Sequence, residues 1–592
     1  MKKRSFLIGA FILAVGGFLA KVIGAAYKIP LTHILGANGM GIYYLVFPMY
    51  SLCLIVASGG VSVAVSKLVA EERGKFNRKK EKKIIKYALI ISIVISIILT
   101  IFTILASKLF SFLQGNANAM ISYIAIAPSI IFASVISVIK GYFQGVENMV
   151  PSSVSLILEQ IGKLVFGLLF AYQMLDMGVT YAVLGAIIGV TLSELFAMLY
   201  MIIRYIIYRK KQFYKFFEKR KKFREDEISL LKSKVVNSKK VYLYATKCSN
   251  CHKGWKKKNK PIVYYFNNLD CCKDSEIVKR VVRYSIPSTL SNLIMPLSIF
   301  IDSFLVVNIL VGSGMSTNVA TSLYGVSNGI VASLISLPTI IISAISMSIV
   351  PNLSSSIELN SREVVLRKTN FFIKFTWIIS LAMFILYIIF SPEIIEILYS
   401  GGLSTKVIDE YTFSYKLLAL SSISIIYNAF LYTFTAILNA FDKPQVPFYS
   451  QAVALVFRIF LTFVLVSIPS INVFGLTIAN IIFLSISCFG CIREIQKTIP
   501  LKTNIRSFLY TPIFCAVFSS LIGYGIKKLL YGMLPTIAEI VIVGSVIILL
   551  YIILIFTMRV FTIKEWEYLP IPKFLIKFLP RRVKDFYEKM KV

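Results

Sequence analysis

Apolar residues in this chain come in runs of about 20, the length a helix needs to cross the hydrocarbon core of a bilayer. The runs predict about 14 spans, over 5–27, 42–63, 84–105, 119–139, 151–172, 179–203, 285–310, 324–350, 371–390, 414–438, 447–468, 473–492, 508–526 and 537–558. The intervals between them alternate in charge. From a cytoplasmic start, the second-to-third interval reads SKLVAEERGKFNRKKEKK, and the sixth-to-seventh, 204–284, is the most basic of all. Arg362, Arg367 and Lys368 follow the eighth span, and Arg493, Lys497, Lys502 and Arg506 follow the twelfth. Lys564, Lys573, Arg581 and Arg582 lie beyond the last. The opposite intervals GANGM, MLDMGV and VGSGMSTNVATS carry no positive charge, and 391–413 sets Glu393, Glu396, Asp409 and Glu410 against Lys406. Positive charge stays on the cytoplasmic side of spans, so the pattern predicts an even span count with both termini cytoplasmic. Only Lys527 and Lys528 run against it.

Composition narrows the class. Of 592 residues, 57% are hydrophobic and 16% charged, against about 25% charged in ordinary soluble domains, and the mean hydropathy is +0.77. The formal net charge of +36 is that of a nucleic-acid binder, but here the charge sits in intervals on one side. It implies orientation and attraction to anionic lipids, and no nucleic-acid partner. The opening MKKRSFLIGAFILAVGGFLA has the basic–apolar–small layout of a signal peptide; with so many spans behind it, it reads as an uncleaved first span.

Residues 141–189 and 437–479 share ordered landmarks. Each has a short polar turn, a proline (Pro151, Pro447), a basic residue (Lys163, Arg458), a span end and a glycine entering the next span (Gly185, Gly475). Both copies run in the same direction, which predicts two parallel six-helix lobes. The fold class is thus all-α integral membrane, with an N-terminal lobe over 1–208, a basic cysteine-containing cytoplasmic insertion over 209–282, a C-terminal lobe over 283–500, and two more spans with a basic amphipathic tail over 501–592.

Four stretches carry a resemblance. LGANGMGIYYLVFPMYSLCLIVASGGVSVAVSKLVAEE (35–72), GYFQGVENMVPSSVSLILEQ (141–160), IPSTLSNLIMPLSIFIDSFLV (286–306) and LPTIIISAISMSIVPNLSSSI (337–357) resemble the stage V sporulation protein B and polysaccharide-transport family. That family belongs to the multidrug/oligosaccharidyl-lipid/polysaccharide exporter superfamily, as do the lipid II flippases. The resemblance implies export of a polyprenyl-linked sugar across the cytoplasmic membrane. Lipid II flippases characteristically carry several arginines and an aspartate on their first two helices. This chain has Lys21, Tyr27 and Lys28 there and no arginine or aspartate in 5–63, so only Lys21 matches, by charge and context.

Ionisable residues inside spans are costly and face a cavity or a partner. The set is Lys21, Glu159, Lys163, Glu194, Asp302 and Arg458. Helical rise puts Lys163 and Arg458 about 17 Å in from the cytoplasmic side, near the midplane, and Lys21 and Asp302 about 25 Å in. Lys163 and Arg458, one per lobe, are candidate cations for the pyrophosphate of a lipid-linked sugar. Glu159, one turn before Lys163, supports the competing reading of a static helix pair. Lys21 and Asp302, on the first span of each lobe, form a candidate gating or ion-coupling pair, or a fixed clamp between the lobes; Glu159 is a further coupling candidate. Glu194 reads as structural or interfacial. Gly36, Gly39, Gly41, Pro48, Gly59, Gly60, Pro338 and Pro351 permit close helix approach and bends.

Cys248-Ser-Asn-Cys251-His252 matches the c-type haem attachment pattern, but a cytoplasmic loop is the wrong place for it. With Cys271 and Cys272 the set reads as a zinc knuckle or as free reduced thiols. Cys488 and Cys491 lie within an apolar run and read as packing residues.

The leading function is a flippase for a polyprenyl-(pyro)phosphate-linked oligosaccharide. No G-x-x-x-x-G-K-[ST] run is present to bind ATP, so H⁺ or Na⁺ is the expected coupling ion and no resident cofactor is expected. A multidrug exporter of the same superfamily is the alternative. A membrane glycosyltransferase is weaker, because the only histidines are His33 and His252. Expected partners are the lipid-linked oligosaccharide and membrane lipids, with a monomer as the working unit.

Overall fold

The computed structural model describes residues 3–74, 78–233, 274–358, 362–399, 410–500, 506–530, 532–533, 535–558 and 560–561. Among these it is helical throughout, with no strand. The first lobe comprises α1 (Lys3–Leu54), α2 (Gly60–Gly74), α3 (Arg78–Leu105), α4 (Ser107–Leu113), α5 (Met120–Ile126), α6 (Ser129–Gly145), α7 (Val150–Gly162), α8 (Leu168–Gln173) and α9 (Val179–Ser233). The second comprises α10 (Asp274–Gly312), α11 (Thr317–Gly325), α12 (Ala332–Glu358), α13 (Arg362–Ile389), α14 (Ser391–Tyr399), α15 (Glu410–Ser421), α16 (Ile423–Ala440), α17 (Gln445–Val466) and α18 (Phe474–Thr498). α19 (Thr511–Leu530) and α20 (Thr536–Thr557) complete the chain as described.

By length and composition, 12 of the helical stretches can cross a membrane, or 13 when the pair Ala117–Ile126 and Ser129–Gly145, bent by 42°, counts as one span. The sequence predicts about 14. The difference lies in the first stretch, Val15–Arg73, which is 59 residues long and covers the first two predicted spans. An unbroken helix of that length would measure about 88 Å, some three times the hydrocarbon thickness. Gly36 divides it, with φ 64° and ψ −179°, a conformation essentially reserved for glycine.

The helices are amphipathic in the membrane sense, with apolar faces outward. On α3, Ile90, Val94, Ile97, Ile101 and Leu105 are exposed while Ser92, Ser96, Thr100 and Thr103 are buried. On α17, Val453, Val456, Phe457, Phe460 and Phe463 are exposed while Arg458 and Thr462 are buried. Both polar stripes recur every three to four residues, so each occupies one face. The buried serines and threonines satisfy themselves locally where Ser96 donates to Ile93 O and Thr103 to Leu99 O, at 2.9 and 2.8 Å.

The internal repeat is visible in the packing. A Cβ on Gly185 would lie 2.4 Å from Phe170 O, and one on Gly475 would lie 2.7 Å from the Leu465 carbonyl carbon. Each glycine lets the last helix of its lobe start tightly against the end of the helix before it. α19 and α20 form a separate layer: Cys515, Ala516, Val543, Ile547 and Tyr551 pack on Phe371, Trp377, Leu381 and Ile385 of α13.

The helix that holds the sixth predicted span, 179–203, runs on beyond it and beyond the predicted lobe end at 208: α9 continues to Ser233, and α10 begins at Asp274, eleven residues before the predicted seventh span. The basic tail from 562 onward and the two β-prone pieces of the insertion, KVYLYA and IVYYF, lie outside the described residues.

The lobes meet along the segment that follows Gly36. A Cβ on Gly41 would sit 2.0 Å from Thr321 O, one on Gly325 would sit 2.2 Å from Ala37 O, and one on Gly60 would sit 2.0 Å from Ser285 O. Polar contacts flank these close approaches. Gln114 Nε2 donates to Ser303 Oγ at 2.9 Å and Asn116 Nδ2 to Thr321 Oγ1 at 3.0 Å near the Gly36 end. At the other end Arg280 pairs with Glu71 at 2.7 Å and Glu72 at 3.4 Å. Asp274 pairs with Lys83 at 3.1 Å and accepts from the Tyr87 hydroxyl at 2.6 Å, and these two partners hold its carboxyl below the usual range. Gly41→Ala forces the lobes apart and is expected to cost about 1–3 kcal/mol as overpacking. Gly17→Ala, where nothing lies within 4 Å, is the control. Thermal unfolding in detergent should show a lowered midpoint for the first variant only.

Candidate functional site

Each lobe holds a charged centre inside its helices. In the second lobe, Arg458 of α17 reaches Asp302 of α10: Nη2 lies 2.5 Å from Oδ2, with the side chains 7% and 2% exposed. The guanidinium also stacks over the Phe483 ring, 5.4 Å from its centroid. The pair is not fully satisfied. Arg458 Nε and Asp302 Oδ1 are buried without partners, as are Thr462 Oγ1, Tyr324 Oη and Ser298 Oγ.

In the first lobe, Lys163 Nζ lies 2.7 Å from Glu159 Oε1, one turn back on the same helix. The chain changes there from α7 into a five-residue π-helical turn, Lys163–Gly167, before α8; such turns favour functional positions. Glu194 of α9 stands beside this pair, fully buried, and accepts a short hydrogen bond from the Tyr50 hydroxyl. Lys140 of α6 acts electrostatically on both Glu159 and Glu194.

The proposed pairing of Lys21 with Asp302 is therefore corrected. Asp302 takes its partner from its own lobe, and Lys21 is exposed on α1. Equal depth along two helices fixes height but not direction around the axis. Across the lobe seam, the cation on this stretch is instead Lys28: its Nζ donates to Ser333 Oγ at 2.9 Å and lies 5.2 Å from the Tyr44 ring centroid. Cys248, Cys251, Cys271 and Cys272 lie outside the described residues. Among the described residues no group of three or more His, Cys, Asp and Glu could hold a metal ion. Cys488 and Cys491 are free thiols buried in the second-lobe core.

Sequence reasoning missed Lys28 and Lys140 for one reason. Each stands one residue past a predicted span end, at 27 and 139, because the charge itself ended the apolar run; the helices run on. Lys374 and Glu539 lay inside predicted spans and were legible. Both are buried, and Lys374 Nζ donates to Val560 O at 3.2 Å. Lys527, one of the two exceptions to the charge alternation, is neutralised: it lies 2.6 Å from Glu393 and donates to Ile389 O at 2.7 Å.

With this geometry in view, the similarities to known proteins are informative. Residues 6–227 match the family model described as Polysaccharide biosynthesis protein, and residues 269–543 match the one described as Lipid II flippase MurJ. The resemblance to the polysaccharide-transport family holds. Stage V sporulation protein B of Bacillus subtilis (strain 168) is 22% identical over 529 residues, covering 88% of this chain and 90% of that protein. Lipid II flippase MurJ of the same organism is 25% identical over 199 residues, covering 31% of this chain and 37% of that protein. Among solved structures, Lipid II flippase MurJ in an inward closed conformation superposes with a TM-score of 0.60 at 14% identity, covering 93% of this chain and 99% of that one. An inward-facing multidrug resistance MATE family transporter of the MOP superfamily gives 0.58 at 15%, covering 85% and 100%. The fold of two lobes is shared with both, and the chain is a multi-pass membrane protein. The two family matches leave 228–268 between them, within the insertion.

Removing one partner of a buried pair leaves an uncompensated charge, at a cost of about 3–5 kcal/mol. Arg458→Met should therefore destabilise the protein strongly, and Arg458→Met with Asp302→Leu much less. Thermal unfolding of the two single variants and the double variant measures the coupling directly.

Proposed function

We propose that this protein is a flippase that moves a polyprenyl-(pyro)phosphate-linked oligosaccharide from the inner to the outer leaflet of the cytoplasmic membrane by alternating access of its two lobes, with both termini cytoplasmic. The observation that carries this reading is one acid-paired cation inside each lobe, the half-buried Lys163 with Glu159 and the buried Arg458 with Asp302, within a chain similar along most of its length to stage V sporulation protein B. A sugar pyrophosphate is too polar to enter hydrocarbon, and its crossing needs cations that substitute for water. A cation that already holds a carboxylate pays little new desolvation when it exchanges that anion for a phosphate. The unpartnered Nε of Arg458 adds a free donor on the guanidinium edge, suited to a forked phosphate contact. On this reading the protein transports and performs no chemistry on its cargo.

The lipid tail stays in the bilayer while the head group passes between the lobes. Ion coupling enters where the paired acids do: a proton or sodium ion on Glu159 or Asp302 frees its base for the cargo. Lys21, exposed on α1, is a candidate for first contact with the head group.

The test is reconstitution in liposomes with a fluorescent lipid-linked oligosaccharide, read as label accessible to an outside quencher. Transfer is expected for the wild type. Charge-assisted hydrogen bonds of about 1.5–3 kcal/mol correspond to an expected drop of about tenfold to a hundredfold in the apparent affinity of Arg458→Gln for the cargo, with a smaller drop for Lys163→Gln. Absence of transfer under every ion gradient, with efflux of a cationic dye instead, would replace this reading by that of a multidrug exporter.

A further inference from the structure

The first lobe contains an acid that the transport reading does not use. Glu194 is 2% exposed. One carboxyl oxygen accepts the Tyr50 hydroxyl, and the other, Oε2, has no partner. Among the described residues no lysine or arginine lies within ion-pair distance of it; Lys163, a base that acts on it electrostatically, is bonded to Glu159 at 2.7 Å. The groups that face Glu194 from the packed elements are Tyr50 of α1, Lys140 of α6, and Glu159 and Lys163 at the α7 end.

A bare carboxylate in such a place is far more costly than a neutral acid, so the site takes up a positive charge. A metal cation is a poor fit. It needs several oxygen ligands, whereas Glu194 has one hydroxyl neighbour. A proton needs no ligand set, because it bonds to the carboxylate directly. We infer that Glu194 is a proton-binding site of the first lobe, loaded as the neutral acid and emptied to a carboxylate during the transport cycle. The step is a simple protonation: the carboxylate gains one proton from the water phase and one negative charge is lost, with no other bond changed.

The geometry gives this proton two consequences. The first is electrostatic. Glu159 and Glu194 both act on Lys163. When Glu194 is neutral, Lys163 is balanced by Glu159 alone; when Glu194 ionises, a second negative charge competes with any anion that approaches the ammonium. An anionic head group at Lys163 therefore favours the protonated form, and by linkage the protonated form favours the head group. The second is mechanical. Tyr50 lies on the segment after Gly36, the same segment whose Gly41 and Tyr44 touch the second lobe. The hydrogen bond that reads the state of Glu194 thus ties α9 to the helix at the lobe seam.

The link to cargo rests on the flippase reading, but the proton site does not, and the experiment separates them. The full chain in liposomes is followed by infrared difference spectroscopy through pH steps, and the same preparations are assayed for transfer of the fluorescent lipid-linked oligosaccharide under imposed pH gradients. A protonated-carboxyl band is expected in the wild type, retained in Glu159→Gln and lost in Glu194→Gln. Tyr50→Phe, which keeps the carboxyl and removes its donor, should shift the band and thereby guards against misfolding of the first variant. A protonated-carboxyl region that Glu194→Gln leaves unchanged from the wild type, or that is empty in the wild type, overturns the inference. Loss of the pH-gradient effect on transfer in Glu194→Gln supports the coupling, and an effect equal to that of the wild type overturns it. A band that behaves as expected in a protein that transfers no oligosaccharide leaves the proton site standing and removes the flippase reading.

Discussion

The close approach of the segment after Gly36 to the second lobe governs the rest of the structure. Apolar burial does not drive helices together inside a bilayer, because lipid tails are as apolar as leucine; contact depends on packing and hydrogen bonds. At Gly41, Gly325 and Gly60 the lobes touch backbone to backbone, with no room for a methyl group. The seam is therefore an arrangement of small residues bracketed at its ends by polar contacts, Gln114 and Asn116 at one and Arg280 with Glu71 and Glu72 at the other. Two hydrophobic clusters are built mainly within one lobe each, and at the seam Ala37 and Leu45 of the first lobe join a second-lobe cluster while Phe300 and Phe304 pack on a first-lobe one.

The charge pairs inside the membrane stretches are each internal to one lobe, and the ion pairs that cross the seam, Arg280 with Glu71 and Glu72 and Lys83 with Asp274, lie at its end. Asp302 and Arg458 are both second-lobe residues, and Glu159, Lys163 and Glu194 are all first-lobe residues. Had Lys21 paired with Asp302, each movement between lobes would have had to break an ion pair in a medium of low dielectric. With the pairs internal, relative movement of the lobes separates glycine contacts and surface-end polar bonds and leaves the buried charges compensated. Lys28, which does cross the seam, ends on the serine hydroxyl of Ser333 and not on an acid, a bond that water at a cavity surface can replace.

Much of this was legible in the sequence because a bilayer imposes few rules and imposes them strongly. The lengths of the runs come through as long apolar helices, and the repeat landmarks Gly185 and Gly475 come through as packing. The polar stripes of α3 and α17 are visible as serines, threonines and an arginine spaced three to four apart. The predicted spans stop at 27 and 139, however, one residue short of Lys28 and Lys140, and hydropathy joined no helix across the insertion boundary, where α9 continues to Ser233. Depth along a helix is readable from residue counting, but the partner of Asp302 depends on rotation about α10 and α17, which counting does not supply. The shared neighbourhood of Glu194 and Tyr50, 144 residues apart, has no local signature at all.

The helical irregularities tie these parts together. π-helical turns occur at Ile55–Gly59 and at Val326–Val331, on the second membrane stretch of each lobe, and these are the stretches that meet at Gly41 and Gly325. A π turn carries one residue more than an α turn and loosens the regular ladder of backbone bonds at that point. Its place at the seam in both lobes matches the need for helices that stay intact while their contacts are exchanged. The turn at Lys163–Gly167 lies inside the first lobe and begins at the lysine that pairs with Glu159. Loosened backbone therefore appears at the seam in both lobes and at Lys163, and a further π-helical turn, Arg506–Tyr510, leads into α19.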